Sequence, residues 1–137
     1  MQAYITSSIP YVNAPPHIGH ALELVQADAI ARYQRLAGNA TILQTGTDEN
    51  AFKNVLAAQA QGVPVQALVD RNSQRFHELT QALGIAADTF IRTTEPRHRH
   101  GVAAFWRRLR REDLFKQQYT GLYCTGCEDF LLERDLV

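Results

Sequence analysis

The chain has 137 residues, and its 14 lysine and arginine side chains balance 14 aspartate and glutamate side chains, so the formal net charge is zero. A hydrophobic fraction of 45% with 20% charged residues is typical of a globular domain and argues against intrinsic disorder. Zero net charge excludes a strongly basic nucleic-acid-binding arm that acts through overall charge, but it leaves a local basic face open. Two cysteines are too few for a disulfide scaffold. We find no apolar run near about 18 residues and no signal-peptide pattern, which predicts a cytoplasmic protein without a membrane span.

The first half of the chain alternates strand and helix patterns. A strand is predicted over 3–8 and a proline-rich loop over 9–17. A helix is predicted from Ile18 to Ala37, ended by Gly38. Its apolar face is predicted to be Leu22, Val25, Ala29, Tyr33 and Leu36.

The pattern continues with a strand over 40–44, a loop over 45–50 and helices over 51–61 and 64–83. The second of these helices is predicted to present Val65, Leu68, Val69, Asn72, Phe76, Leu79 and Leu83 on one face. A third strand is expected over 88–93.

Thr94 is the predicted N-cap of a last helix that runs to about Arg111. Val102, Phe105, Trp106 and Leu109 are expected to face inward. Short strands and a small knuckle are expected after Leu114.

This order of elements predicts an α/β fold with a parallel sheet. Ligands of such sheets bind at the carboxyl ends of the strands. The loops 9–20 and 45–50 each follow a strand, so we expect both to line the same crevice.

The segment Pro16-His17-Ile18-Gly19-His20 lies at the junction of the proline-rich loop and the first helix. Gly19 lets a ligand approach the backbone, and the helix start offers unpaired N–H groups and a positive dipole end. His17 and His20 lie one helical turn apart, so their imidazoles can donate to phosphate oxygens and stabilise a transition state. The alternative is two surface or metal-binding histidines near a helix start.

The segment 9–20 resembles the HIGH signature of class I aminoacyl-tRNA synthetases. Three later segments, 45–50, 90–95 and 121–128, resemble the methionyl-tRNA synthetases in particular, and the four matches cover nearly all of the chain. The resemblance implies the first half of a Rossmann-like catalytic domain over 1–114 and the beginning of an inserted zinc-knuckle domain over 115–137.

The resemblance also implies a reaction and its participants. Methionine is activated by ATP, accompanied by Mg²⁺, to methionyl-adenylate and transferred to tRNA(Met). His17 and His20 would be the catalytic residues and, with Gly19, would bind ATP. Ile9, Tyr11 and Asp48 would bind methionine, with Asp48 holding its ammonium group.

Asp48 has an alternative role as the N-cap of the next helix. Asn50 and Ala51 depart from the His-Gly pair that is common in the family at this point. Lys53 approaches ATP in one interpretation and is solvated at the surface in the other.

Cys124 and Cys127 have the spacing of half a zinc site, since a closed tetrahedral site needs four ligands. The alternatives are thiols without a role and a redox pair. The run 97–111 carries Arg97, Arg99, Arg107, Arg108, Arg110 and Arg111. We interpret it as a solvated face balanced by Glu112 and Asp113, the alternative being contact with the tRNA acceptor end.

Three functions remain open at this point. In the first, the chain is an N-terminal piece of a methionine-activating ligase. In the second, it is a truncated paralogue that binds nucleotide or amino acid without aminoacylation. In the third, it is a fragment that needs a second chain carrying the missing half of the fold. The family's KMSKS loop has no counterpart in the sequence.

Overall fold

The computed structural model describes residues 1–132 and 134. Inter-residue contacts divide the chain into two compact units, 1–95 and 96–137. The assignment of 115–137 to an inserted domain stays a prediction, and its residues 133 and 135–137 lie outside the described part of the chain.

The first unit is a three-stranded parallel sheet with helical crossovers. Its elements are β1 (Gln2–Thr6), α1 (Ile18–Leu36), β2 (Ala40–Thr47), α2 (Phe52–Ala60), α3 (Val65–Ala82) and β3 (Thr89–Arg92). The strand order is β1-β2-β3, and both pairs are parallel, with Ile5 opposite Leu43 and Thr45 opposite Phe90. Parallel neighbours require crossover connections, which the helices supply. The predicted Rossmann-like α/β fold is confirmed for this unit.

β2 is longer than the sequence predicts, because it continues to Thr47 instead of ending at 44. Its last residues pair with β3, from Gln44 opposite Thr89 to Thr47 opposite Arg92. Gly46 permits this close pairing, since a Cβ at that position would lie 2.0 Å from the Ile91 carbonyl oxygen. The predicted loop therefore begins at Asp48.

The core lies on one face of the sheet. Ala27 and Ala31 of α1 pack with Leu43, and Val69 and Phe76 of α3 cluster with Val12. Phe90 joins the second cluster. The strand register places Leu43, Thr45 and Phe90 on the same side of the sheet. Because Leu43 packs with α1 and Phe90 with the α3 cluster, both helices cover that face. Tyr4 and Ile42 alternate with the core positions and are exposed.

The predicted apolar face of α1 is wrong. Leu22, Val25, Ala29, Tyr33 and Leu36 are exposed, and the buried residues are Ala21, Leu24, Ala27, Asp28 and Ala31. α1 carries two stripes at helical spacing, and the stripe rich in alanine lies against the sheet. Asp28 is tolerated there because its carboxylate accepts from the Ala86 N–H at 2.9 Å and the Arg32 Nε–H at 2.6 Å.

The predicted face of α3 is confirmed in its centre, where Leu68, Val69, Asn72 and Phe76 are buried. Val65 and Leu83, at the two ends of the helix, are exposed. The Asn72 amide donates to the Val12 carbonyl at 2.7 Å, which fastens the proline-rich loop to α3. This hydrogen bond supplies partners for two buried polar groups, the Asn72 amide and the Val12 carbonyl.

The second unit contains α4 (Pro96–Trp106), a 3₁₀ turn (Arg111–Asp113) and the antiparallel strands β4 (Leu122–Cys124) and β5 (Asp129–Leu131). Short strands after Leu114 are thus confirmed. α4 ends five residues before the predicted Arg111, and Val102, Phe105 and Trp106 are exposed at 53%, 70% and 61%. The expectation that they face inward is wrong, because periodicity identifies an apolar stripe but not what covers it. Among the described residues, no helix combines the length and apolarity that crossing a membrane requires.

Candidate functional site

The loops after β1 and β2 meet, as predicted. The Asp48 N–H donates to the Pro10 carbonyl at 2.9 Å, and Tyr11 and Asp48 form an isolated parallel bridge. The Ser7 N–H donates to the Gln44 carbonyl at 3.2 Å. The sheet pairing therefore extends past β1 and brings the two loops to one edge of the sheet.

His17 and His20 close the start of α1 as a reciprocal capping pair. His17 is the N-cap, and its Nδ1 accepts from the Gly19 N–H at 3.1 Å. The His20 Nδ1 accepts from the His17 N–H at 3.1 Å. The arrangement is that of a capping box, with imidazoles in the places usually held by a hydroxyl and a carboxamide or carboxylate.

This pairing corrects one expectation. The N–H groups of Gly19, His20 and Ala21 are bonded to His17, so the first turn does not offer a row of unpaired donors. The positive end of the α1 dipole remains. A Cβ at residue 19 would lie 2.9 Å from the His17 ring, so glycine is needed there for the imidazole cap itself.

The two imidazoles are stacked, with ring centroids 3.8 Å apart, and the His20 and Phe76 rings form a T-shaped pair with centroids 5.0 Å apart. Because both Nδ1 atoms accept hydrogen bonds, each neutral ring carries its proton on Nε2. Burial, and next the charge of neighbouring His17, lower the pKa of His20, while Glu23 opposes the shift. The His20 ring therefore favours the neutral form and offers an Nε2–H donor.

Asp48 begins the turn after β2 and is half-buried. Its Oδ1 accepts from the Asn50 N–H at 3.0 Å and from the Thr93 hydroxyl at 3.3 Å. The N-cap of α2 is Ala51, without a side-chain hydrogen bond. The alternative role of Asp48 as a helix cap is therefore wrong.

Beneath this turn lies a charged network that the sequence patterns did not reveal. The Glu49 side chain is fully buried and accepts from Arg92 Nε at 2.5 Å and Nη2 at 3.1 Å. Thr94 also donates to this carboxylate, where the sequence predicted a helix cap. Arg92 donates in addition to Asp70.

The Arg92–Glu49 hydrogen bond raises the pKa of Arg92, and its bond to Asp70 lowers the pKa of that carboxyl. Arg92 and Asp70 therefore favour their charged forms. The sequence held a signal for this ion pair. Glu49 follows β2 and Arg92 ends β3, the two strands are parallel neighbours, and the two side chains have opposite charges.

The other residues expected around methionine lie on the loop after β1. Ile9 is half-buried, and Tyr11 is 38% exposed. The Lys53 ammonium lies 5.4 Å from the centre of the Tyr11 ring, a cation–π distance.

A small pocket opens between the ends of β1 and β2 and the first turns of α1. His20 is the one predicted site residue that lines it, together with Ser7, Ser8, Glu23, Thr45, Gly46 and Phe76 among others. Glu23 accepts from the Ser8 N–H at 2.7 Å, and the hydroxyls of Ser7 and Thr45 are hydrogen-bonded at 2.7 Å. These polar residues were missed because single serines and threonines carry no distinctive spacing.

Cys124 and Cys127 lie at the turn of the β4–β5 hairpin. The Cys127 N–H donates to the Cys124 sulfur at 3.3 Å, which draws the turn around that thiol. Within the described residues no group of three or more histidine, cysteine, aspartate or glutamate side chains is arranged to hold a metal ion. Two sulfur donors do not complete a tetrahedral zinc site, so the described residues alone do not fit the implied metal.

The basic stretch is balanced locally at its end, as interpreted from the sequence. Arg110 pairs with Glu112 at 3.1 Å and with Asp113 at 2.9 Å, and all three side chains are at least half exposed. Such exposed pairs contribute little to stability.

Comparison with known proteins identifies close relatives. The family model of class I tRNA synthetases (M) matches residues 3–137. A protein named "Probable methionine--tRNA ligase, mitochondrial" from Dictyostelium discoideum is 46% identical over 130 residues, which are 94% of this chain and 23% of that protein. A methionine--tRNA ligase of Mycobacterium bovis is 44% identical over 133 residues, 96% of this chain and 26% of the relative.

The solved structure of Mycobacterium tuberculosis methionyl-tRNA synthetase in complex with methionyl-adenylate superimposes with a TM-score of 0.91 at 42% identity. The match covers 98% of this chain and 27% of that one. The chain spans about a quarter of the length of the curated relatives it matches.

Proposed function

Because the chain belongs to the class I tRNA synthetases (M), we propose that it takes part in the activation of methionine by ATP and in the transfer of methionine to tRNA(Met). The observation that carries the proposal is the imidazole pair at the start of α1. Both rings use Nδ1 to accept from backbone N–H groups at the helix start, which leaves Nε2–H as the donor of each neutral ring, in the loop and first turn that follow β1 of the parallel sheet. The carboxyl ends of the strands are where α/β sheets bind nucleotides.

In the proposed reaction, a carboxylate oxygen of methionine attacks the α-phosphorus of ATP. A bond forms between them, the bond from that phosphorus to the β-phosphate oxygen breaks, and pyrophosphate leaves. Negative charge grows on the phosphate oxygens during this step. His17 and His20 would stabilise it through their Nε2–H groups, with Gly19 at the ATP contact. Mg²⁺ would accompany ATP and neutralise phosphate charge.

Methionine would lie on the neighbouring loops. Asp48 would accept the ammonium group, which is supported by a half-buried carboxylate at the edge of the sheet. Ile9 and Tyr11 would line the side-chain pocket, supported by the bridge that brings Tyr11 to Asp48. Holding both substrates at one strand edge contributes to rate by orientation.

A zinc ion at Cys124 and Cys127 remains a proposal that requires ligands beyond the described residues. A cytoplasmic location also stays a prediction, since the relatives' names include mitochondrial and chloroplastic proteins. No observation among the described residues favours a regulatory module over the ligase half-site.

The test is methionine-dependent exchange between ATP and pyrophosphate. The variant His17→Ala/His20→Ala should lower the exchange rate at least about 100-fold, as for the loss of transition-state donors. His17→Asn/His20→Gln keeps side-chain acceptors for both capping bonds and separates chemistry from folding.

The matched control is His98→Ala/His100→Ala in the second unit, which should leave the exchange rate unchanged. If wild-type exchange does not exceed that of the His17→Ala/His20→Ala variant, the chain does not activate methionine by itself and the proposal fails for it.

A further inference from the structure

We propose that Thr93 is a positioning residue that orients Asp48 toward the ammonium group of the amino-acid substrate. The inference rests on the proposed function, in which Asp48 binds that ammonium. It adds a residue from the end of β3 to a site otherwise built from the loops after β1 and β2.

The Thr93 hydroxyl joins two consecutive residues of the Asp48 turn. It accepts from the Glu49 N–H at 2.8 Å and donates to Asp48 Oδ1 at 3.3 Å. A hydroxyl has one donor and can accept as well, so a single oxygen satisfies both groups. The turn is therefore held through its backbone and through the carboxylate at the same point.

These contacts leave the Asp48 carboxylate with two unlike oxygens. Oδ1 accepts from the Asn50 N–H at 3.0 Å and from Thr93. Neither of these two hydrogen bonds involves Oδ2. One oxygen thus sets the orientation of the group, and the other is the one that can receive a cation.

Thr93 is itself held firmly. It is 6% exposed, its N–H donates to the Thr47 carbonyl at 3.3 Å, and its β-branched side chain has few rotamers. Its neighbours Arg92 and Thr94 both bind the buried Glu49 carboxylate. The end of β3 and the Asp48 turn therefore keep a fixed relation, so removing the hydroxyl changes the carboxylate without a large rearrangement.

The test compares L-methionine with 4-(methylthio)butanoate, which has hydrogen in place of the ammonium group. Dissociation constants of both are measured by titration calorimetry or NMR on the full chain. Thr93→Val keeps the side-chain shape and removes the hydroxyl, and we expect it to lower methionine affinity about tenfold, as for the loss of a hydrogen bond to a charged group. The affinity for the analogue should not change.

Two further variants separate positioning from structure. Thr93→Ser keeps the hydroxyl and should retain the preference for methionine. In an Asp48→Asn background, Thr93→Val should produce no further loss of that preference. Thr41→Val, at the amino end of β2, removes a hydroxyl that donates to the Asn39 carbonyl and serves as the control for a lost threonine hydrogen bond. Should Thr93→Val not fold, Thr93→Cys substitutes a weakly bonding thiol.

The outcomes are distinct. Equal losses for both ligands in Thr93→Val, or an unchanged preference for methionine, would overturn the positioning role of Thr93. If the wild-type chain binds methionine no better than the analogue, the assignment of Asp48 to the ammonium is wrong, and the inference falls with that part of the proposed function. A normal preference in the wild type that is lost in Asp48→Asn but kept in Thr93→Val refutes the inference alone.

Discussion

Replacing Arg92 by methionine leaves the buried Glu49 carboxyl group without its cation. The Glu49 side chain has no exposed surface, and Arg92 reaches it with two N–H groups at 2.5 and 3.1 Å. Methionine preserves much of the unbranched stem but donates nothing. Removal of one partner of a buried ion pair costs about 3–5 kcal/mol. That is a large part of the roughly 5–15 kcal/mol that stabilises a typical domain.

The companion variant Glu49→Gln should cost less, about 1–3 kcal/mol, because it removes the charge, keeps one oxygen acceptor and places an amide NH2 group against Arg92. In the double variant neither charge remains. We therefore expect the double variant to lose less unfolding free energy than the sum of the two single variants, by at least about 2 kcal/mol, as is found for directly paired groups.

Urea unfolding followed by far-ultraviolet circular dichroism measures these free energies, since the single tryptophan, Trp106, lies in the second unit. Asp70→Asn is the matched control. Asp70 binds the same guanidinium, but its side chain is 51% exposed, so the loss should stay below about 1 kcal/mol. A loss below about 1 kcal/mol for Arg92→Met, or additive single losses, would refute the view that this pair is a coupled buried unit.

Two other outcomes follow from burial and protonation. Leu43→Ala should destabilise the chain by about 2–5 kcal/mol, because Leu43 is 1% exposed and its side chain packs against α1. Ile42→Ala, at a 51% exposed neighbour on the opposite face of the sheet, should cost below about 1 kcal/mol. Equal losses in urea unfolding would contradict the assignment of the core face. Because the folded-state pKa of His20 lies below its usual 6.5, the unfolded chain binds more protons in the interval between the two values. The free energy of unfolding should therefore increase as the pH rises through that interval. His20→Gln should reduce the slope of the free energy of unfolding against pH, measured between about pH 5 and 8. An unchanged slope would show that His20 does not contribute.

Much of the fold was accessible from the sequence because its signals are local. Three prolines in the loop before α1, Gly38 at the end of α1 with φ of 78°, and the face of α3 around Leu68, Val69 and Phe76 predicted the elements of the first unit. The meeting of the two loops followed from the rule that parallel strands present their carboxyl ends at one edge.

The buried face of α1 was not accessible in the same way. Hydrophobicity favours the stripe with Leu22, Tyr33 and Leu36, yet the sheet receives Ala27 and Ala31 around Leu43. Small side chains let the helix approach the sheet closely, and a hydrophobicity pattern does not contain this information. The prediction for the apolar residues of α4 was wrong for a related reason, because a hydrophobicity pattern identifies an apolar stripe but not the surface that packs against it.

The order of strands and helices, the family, and the histidines and aspartate proposed for the site are all predicted by residues that lie close together in the chain. How those side chains are held depends on contacts between distant parts of the chain. Packing bonds the His17 imidazole to the Gly19 N–H and the His20 imidazole to the His17 N–H at the start of α1, and it joins Asp48 to Thr93 across 45 positions of sequence. It also buried Glu49 against Arg92. These contacts depend on strand register and on the space left between side chains, and both exist only once the chain has packed.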